Sequence, residues 1–72
     1  MLDDLEQAIA ASVAAHEEWV RARVKSIREP TRGADGSWGD NEHAAFNLAQ
    51  VRGKAEARVF EIARAIEQAE QE

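Results

Sequence analysis

The sequence predicts an all-α fold, an antiparallel two-helix hairpin, on three observations. Two amphipathic stretches flank a segment that contains the single proline and three of the four glycines. Fifteen alanines, most of them in those two stretches, favour helix. The apolar positions of the two stretches also mirror each other, because paired residue numbers, counted inward from both ends, sum to 71 or 72. Two helices that fold back about a turn near residue 36 would therefore face each other level by level.

The mirrored positions define the predicted contact between the helices. In the first helix they are Leu2, Leu5, Ile9, Val13, His16, Val20, Val24 and Ile27, and in the second helix Ala44, Leu48, Val51, Ala55, Val59, Ile62, Ile66 and Ala69. The pairing predicts that Ile9 lies near Ile62. It also predicts that Val20 lies near Val51.

The first helix is predicted over residues 2–28. Its apolar positions recur every eleven residues, which is typical of a nearly straight helix rather than a tight left-handed supercoil. Pro30 excludes the α conformation at Glu29, so the helix ends there.

Residues 29–40 form a glycine-rich connection that is longer than most connections in helical bundles. It carries Trp38, for which two interpretations stay open. The indole would either fold over Ile27 and Leu48 and cap the apolar end of the hairpin, or stay exposed as an anchor for a partner.

The second helix is predicted over residues 41–70. Asp40 or Asn41 would be its N-cap, with Glu42 in the first turn. The whole chain, residues 1–72, is then a single helical-hairpin domain.

The size of the chain points to association with other helices. A hairpin of 72 residues cannot bury its large apolar side chains completely, because each helix has only one neighbour. There is no cysteine, so neither a disulfide nor a thiolate metal site compensates. We expect the hairpin to oligomerise into a helical bundle or to dock on a larger assembly.

The second helix carries a stripe of small residues with a phenylalanine beside each end, which predicts an interface with another helix. The stripe is Ala45, Ala49, Gly53 and Ala57, and the phenylalanines are Phe46 and Phe60. The first helix offers a matching set at Ala8, Ser12, Ala15, Trp19 and Ala22. The alternative is that these alanines are simply good helix formers on a solvated face.

The net charge is −5, yet four basic residues cluster toward the turn: Arg21, Lys25, Arg28 and Arg32. One interpretation is a solvated face with ion pairs, since Glu17 precedes Arg21 by four residues. The other is contact with phosphate groups or with an acidic partner.

The sequence shows no residues for catalysis or for a cofactor. No nucleophile with a base, phosphate-binding loop or acid–base pair is apparent, so we expect neither an enzyme nor a small-molecule substrate. His16 is predicted to be a buried histidine opposite Ala55, and it has no second ligand at helical spacing for a metal. The acidic N-terminus has no continuous apolar run, so we expect a cytoplasmic protein that does not bind a membrane.

The second helix resembles that of small tailed-phage proteins encoded among head and portal genes, which are also short helical hairpins. The resemblance covers about thirty residues and consists of an apolar-rich helix with glycine beside basic residues and then an acidic–alanine step. The matching residues are Leu48, Val51, Arg52, Gly53, Lys54, Glu56 and Ala57. It implies a virion or assembly component that works as a multimer, and it implies no active site.

The expected function is therefore that of a non-enzymatic structural protein, an oligomeric hairpin whose partner is itself or a larger protein assembly. Two alternatives stay open. One is a small nucleic-acid-binding regulator that acts as a hairpin dimer, and the other is an inhibitory partner protein.

Overall fold

The computed structural model describes residues 2–71 and contains two helices, α1 (Leu2–Arg28) and α2 (Asp40–Gln71). They lie antiparallel, because Trp19 of α1 contacts Arg52 of α2 at the middle of the hairpin while Thr31 reaches Glu42 at the turn. The molecule is a flat rod of 59 × 18 × 12 Å. The predicted all-α hairpin is confirmed, and the described residues contain no strand.

The face of α1 that contacts α2 carries mostly small residues. The inward positions recur at alternating intervals of three and four residues, which keeps one face of a helix against a neighbouring helix. They are Leu5, Ala8, Ser12, Ala15, Trp19, Ala22 and Ser26, all buried or half-buried. On α2 the same spacing, interrupted at the exposed Glu56, gives Glu42, Ala45, Ala49, Arg52, Val59, Ala63 and Ile66, with Leu48, Ala55 and Ile62 half-buried beside them.

The predicted contact between the helices is therefore wrong for α1. The predicted alignment of the two helices along their length agrees with the structure, because Trp19 contacts Arg52 and their residue numbers sum to 71. The inward face does not, because Ile9, Val13 and Val20 are exposed. His16 is also exposed rather than buried opposite Ala55. The small side chains of α1 allow close approach of the two backbones, and the large ones lie about a quarter-turn away.

The connection, residues 29–39, is held by the carboxylate of Glu42, in a set of contacts that we call the Glu42 latch. Glu42 accepts hydrogen bonds from the amide of Thr31 at 3.0 Å, from the hydroxyl of Thr31 at 3.0 Å and from the amide of Gly39 at 2.9 Å. The Thr31 hydroxyl oxygen in turn accepts a hydrogen bond from the amide of Asn41 at 2.9 Å. The latch ties the start of the connection to the first turn of α2.

The N-cap of α2 accordingly differs from the prediction. The first backbone hydrogen bond of the helix runs from the amide of His43 to the carbonyl of Gly39, so Gly39 is the capping residue rather than Asp40 or Asn41. A glycine has no side chain to cap with, and the hydroxyl of Thr31 satisfies the free Asn41 amide instead. A Cβ at position 39 would overlap the carbonyl of Thr31, which is why a glycine stands there.

Candidate interaction surface

One broad side of the hairpin is largely apolar. Each residue on this side comes directly after an inward position in the sequence. A step of one residue turns about 100° around a helix, and in an antiparallel pair this step leads to the same side on both helices. We call this side the apolar face. Its apolar members are Ile9, Val13, Val20 and Ile27 of α1 and Phe46, Ala57 and Phe60 of α2, with His16 and Gly53 between them.

Contacts across the helix boundary confirm that the two halves of the apolar face join. Ile9 and Val13 of α1 line one groove together with Val59 and Phe60 of α2. Nearer the turn, Arg23 of α1 shares a second groove with Phe46 of α2. The face is thus a continuous surface along both helices.

The apolar face is strongly exposed. Phe60 exposes 72% of its surface, Val13 53% and Phe46 47%. Leu2 and Val24, exposed at the edge of the same stripe, extend it along α1. The buried hydrophobic residues of the described chain are three alanines, and no large side chain between residues 2 and 71 is fully buried. Contiguous exposed apolar surface of this kind is typical of interaction sites, so the apolar face is the candidate surface.

The predicted small-residue stripe is divided between two surfaces. Ala45 is buried against α1, and Ala49 and Trp19 are half-buried, so these three side chains belong to the contact within the hairpin. Gly53 and Ala57 lie on the apolar face instead. A Cβ at Gly53 would meet no atom within 4 Å, so the hairpin itself does not require a glycine there.

Trp19 anchors the middle of the helix pair. Its indole lies under the guanidinium of Arg52, whose central carbon is 4.5 Å from the ring centroid. Contacts of this kind attract a cation to an aromatic face. The imidazole of His16 lies 5.8 Å from the same indole, on the side of the apolar face.

Trp38 packs on aromatic side chains of α2 and lines a groove with Arg23 and Ser26 of α1. Its ring centroid is 5.4 Å from that of Phe46 and 5.6 Å from that of His43. The indole does not cover Ile27 as the predicted cap requires, since Ile27 is 63% exposed and the indole itself is 44% exposed. Trp38 therefore extends the exposed apolar surface onto the connection.

The opposite side of the hairpin, which precedes the inward positions by one residue, is polar on α1. Gln7, Glu18 and Arg21 lie there, together with alanines. On α2 this side carries Val51, which is 51% exposed, and Arg58. The two sides therefore differ mainly in α1, which is apolar on one side and charged on the other.

The four predicted basic contacts are all exposed. Arg21 lies 3.7 Å from Glu17 in an exposed ion pair. Lys25 and Arg28 lie in the last turn of α1, where their charge complements the helix dipole. Arg32, in the connection, lies close enough to Glu42 to influence its ionisation. They are spread over the last two turns of α1 and the connection, where Glu29 and Asp35 also lie, and do not form a single cluster.

Two carboxylates near the turn are stabilised in their charged form. The hydrogen bond from the Thr31 amide holds the pKa of Glu42 below its ordinary value, and the amide of Gly39 adds to this effect while burial opposes it. The pKa of Asp35 is lowered by its hydrogen bonds with Ser37. Both carboxylates have a structural role, since each accepts hydrogen bonds from residues of the connection.

The sequence pattern predicted Ile9, Val13 and Val20 inside the hairpin, but in the structure these side chains lie on the apolar face. The signal that could have placed them correctly is the regular three-and-four spacing of small residues in α1, from Ala8 to Ser26. Ranking positions by side-chain size alone hides that spacing.

Within residues 2–71 no helix is long and apolar enough to cross a membrane. The same part of the chain has no group of three or more His, Asp or Glu side chains arranged to hold a metal. No family model, curated protein or solved structure matches the chain.

Proposed function

We propose that this chain is a non-enzymatic structural protein that works as an oligomeric helical hairpin and covers its apolar face with another copy. The observation that carries the proposal is the exposure of Ile9, Val13, Phe46 and Phe60 on one continuous side of a molecule whose buried hydrophobic residues are alanines. Burying a valine, isoleucine or phenylalanine contributes about 1.5–3 kcal/mol per side chain. A single hairpin leaves most of that stabilisation unused.

The dimensions of the apolar side suit such an assembly. It measures 59 Å by 18 Å, so a second copy laid along it would cover an area comparable with the ~800 Å² per partner of a stable protein interface. The resemblance of α2 to phage head and portal hairpins supports the same kind of role, that of a component in a virion or its assembly.

A matched pair of variants tests the proposal. Phe60→Glu and Val51→Glu place the same charge on an exposed apolar position of α2, the first on the apolar face and the second on the opposite side. We expect Phe60→Glu to weaken association by a hundredfold or more, since a dimer loses two buried phenylalanines at about 1.5–3 kcal/mol each. Val51→Glu should associate like the parent.

Sedimentation velocity across a range of concentrations measures this difference. A parent that stays at 8.0 kDa at every concentration would refute self-association. Equal weakening by both variants would refute the assignment of the interface to the apolar face.

The exposed cations Arg21, Lys25 and Arg28 favour a second candidate, binding of nucleic acid by a hairpin dimer. Such binding weakens steeply with added salt because counterions are released from the phosphates. Fluorescence anisotropy with a labelled RNA duplex at 50 and 300 mM salt distinguishes the two functions. Tight, strongly salt-dependent binding would favour the regulator, and absence of binding would favour the structural role.

A further inference from the structure

The apolar face has internal symmetry on both helices. On α2, Phe46 and Phe60 each lie seven residues from Gly53 and follow inward positions by one, so these two large side chains are placed symmetrically about the glycine. On α1, Val13 pairs with Val20 and Ile9 with Val24 about a point between residues 16 and 17.

The two centres lie at nearly the same level of the rod. Trp19 contacts Arg52, which fixes the register of the helices. With that register the centre of α1 lies opposite residues 54–55, about 2 Å from Gly53 at 1.5 Å per residue. One two-fold axis across the rod can therefore pass close to both centres.

Charge is distributed unevenly along α1. Residues 2–20 contain five carboxylates and no lysine or arginine, whereas residues 21–28 contain four cations and no carboxylate. On the apolar side, α2 carries Arg64 and Glu67 near the termini. On the same side, α1 carries Glu6 toward the termini and Arg23 toward the connection. Among the described residues, the ion pairs found involve neither of these two side chains.

From the symmetry and the charges together we infer that the hairpin forms an end-over-end dimer through the apolar face. Each helix packs antiparallel on its own copy, with Gly53 against Gly53 of the partner copy and Phe46 against Phe60 of the partner copy. This arrangement rests on the proposed self-association and adds the orientation.

Identical faces can stack about a two-fold axis in two ways, which differ in what faces Gly53 and the charged parts of α1. End-over-end stacking lays the acidic part of α1 on the basic part of the partner copy's α1 and brings Glu6 within reach of the partner copy's Arg23. The alternative, connection over connection, turns the partner copy about the long axis of the rod and lays α1 on the partner copy's α2, so that Gly53 would face α1 near residue 18 instead of the partner copy's Gly53. The missing Cβ of Gly53 lets the two α2 backbones approach where they cross.

Because the chain has no cysteine, single cysteines test the orientation directly. Ile9→Cys and Val24→Cys occupy symmetry-related positions of α1. In the end-over-end dimer, position 9 lies beside position 24 of the partner copy, while the two copies of position 9 are about 22 Å apart at 1.5 Å per residue. A disulfide needs Cα atoms within about 7 Å.

We expect a mixture of the two variants to form the mixed disulfide on mild oxidation, at least tenfold faster than either variant forms its own. Mass spectrometry of the covalent dimers measures the three products. Equal amounts of all three, or an excess of either symmetric product, would overturn the orientation while leaving self-association intact. A monomeric parent would overturn both.

A charge exchange gives a test that needs no crosslinking. Glu6→Arg should weaken the dimer about tenfold, since two exposed ion pairs of up to ~1 kcal/mol each are lost per dimer. Combining it with Arg23→Glu should restore the parent dissociation constant. Failure of the double variant to recover would contradict the pairing of these two side chains.

Discussion

The connection and the helical stem of this hairpin are built in opposite ways. At the connection, three donors converge on the carboxylate of Glu42, and Gly39 packs directly on the backbone of Thr31. Along the stem, small side chains fill the contact between the helices and the large apolar ones face outward. The connection is complete within one chain, whereas the stem presents a second layer of apolar residues that one chain cannot cover.

The two regions should therefore contribute differently to folding and to the proposed assembly. Polar contacts at the turn fix how the chain reverses, and they depend on geometry rather than on surface area. If a second copy covers the apolar stem, as we propose, the stability of the stem depends on association. Substitutions in the two regions should therefore have different dependences on protein concentration.

The largest effect is expected at the centre of the apolar face. Gly53→Leu should stabilise an isolated helix by up to ~1 kcal/mol, because nothing lies within 4 Å of a Cβ there. In the dimer the two leucines would collide, and overpacking costs about 1–3 kcal/mol per site. We expect Gly53→Leu to be monomeric in sedimentation experiments.

Gly53→Ala is the control for this prediction. It gains most of the helix propensity and adds one small group, so it should retain more of the association than the leucine variant. An unchanged or tighter oligomer for Gly53→Leu would mean that position 53 faces solvent in the assembly.

The next largest effect is expected at the connection. Gly39→Ala would place a Cβ on the carbonyl of Thr31, a backbone atom that cannot move without disturbing the Glu42 latch. We expect a loss of about 1–3 kcal/mol in unfolding free energy, as for other overpacked sites, measured by urea denaturation. Unlike the stem variants, its loss should be nearly the same at every protein concentration.

Gly33→Ala is the matched control. A Cβ at position 33 would meet the side-chain atoms Ser37 Oγ at 2.7 Å and Asp35 Oδ1 at 2.9 Å, both of which can rotate away. We expect a much smaller loss than for Gly39→Ala. Equal losses in the two variants would show that the connection tolerates no Cβ for a reason other than the contact with Thr31.

The smallest effect concerns acid. The folded-state pKa of Glu42 lies below its ordinary value, so its contribution to stability is present above the ordinary value, about 4.3, and is lost as the pH falls through that value toward the lowered one. Glu42→Gln should be less stable than the parent at pH 7 and should lose less stability between pH 6 and pH 3.

Unfolding by urea at each pH measures this slope. Asp35 contributes in the same direction through Ser37, so Asp35→Asn provides the comparison for the remaining acid sensitivity. A parent and a Glu42→Gln variant with parallel pH profiles would contradict the role of the latch.

The helices themselves could be predicted from the sequence almost completely. Pro30 and the glycines fix the connection, and the periodicity gives both helices to within one residue at each end. The level at which Trp19 meets Arg52 also follows from the mirrored pattern. These features are local, or depend only on where the chain reverses.

The orientation of α1 about its own axis could not be predicted by side-chain size. Two stripes compete for the inward position, one of large residues such as Val13 and one of small residues such as Ala15. A lone helix pair places the small stripe inside, because the backbones then approach closely, and the large residues remain for the next layer. The predicted interface residues Phe46 and Phe60 are exposed, while Ala45 is buried within the hairpin for the same reason.

The Glu42 latch also could not be predicted from the sequence. Glu42 in the first turn of α2 is an ordinary helix signal, whereas its contact with Thr31 depends on the path of the connection. The capping hydroxyl comes from ten residues earlier in the chain, and local patterns do not reveal a partner at that distance.

The most direct test of an incomplete stem is the concentration dependence of thermal unfolding, followed by circular dichroism at 222 nm. If a second copy completes the stem, the midpoint temperature of the parent should rise steadily over a hundredfold range of concentration, since association stabilises the folded state by mass action. Phe60→Glu should unfold at a lower temperature with little such rise. A parent midpoint that does not change with concentration would contradict the account.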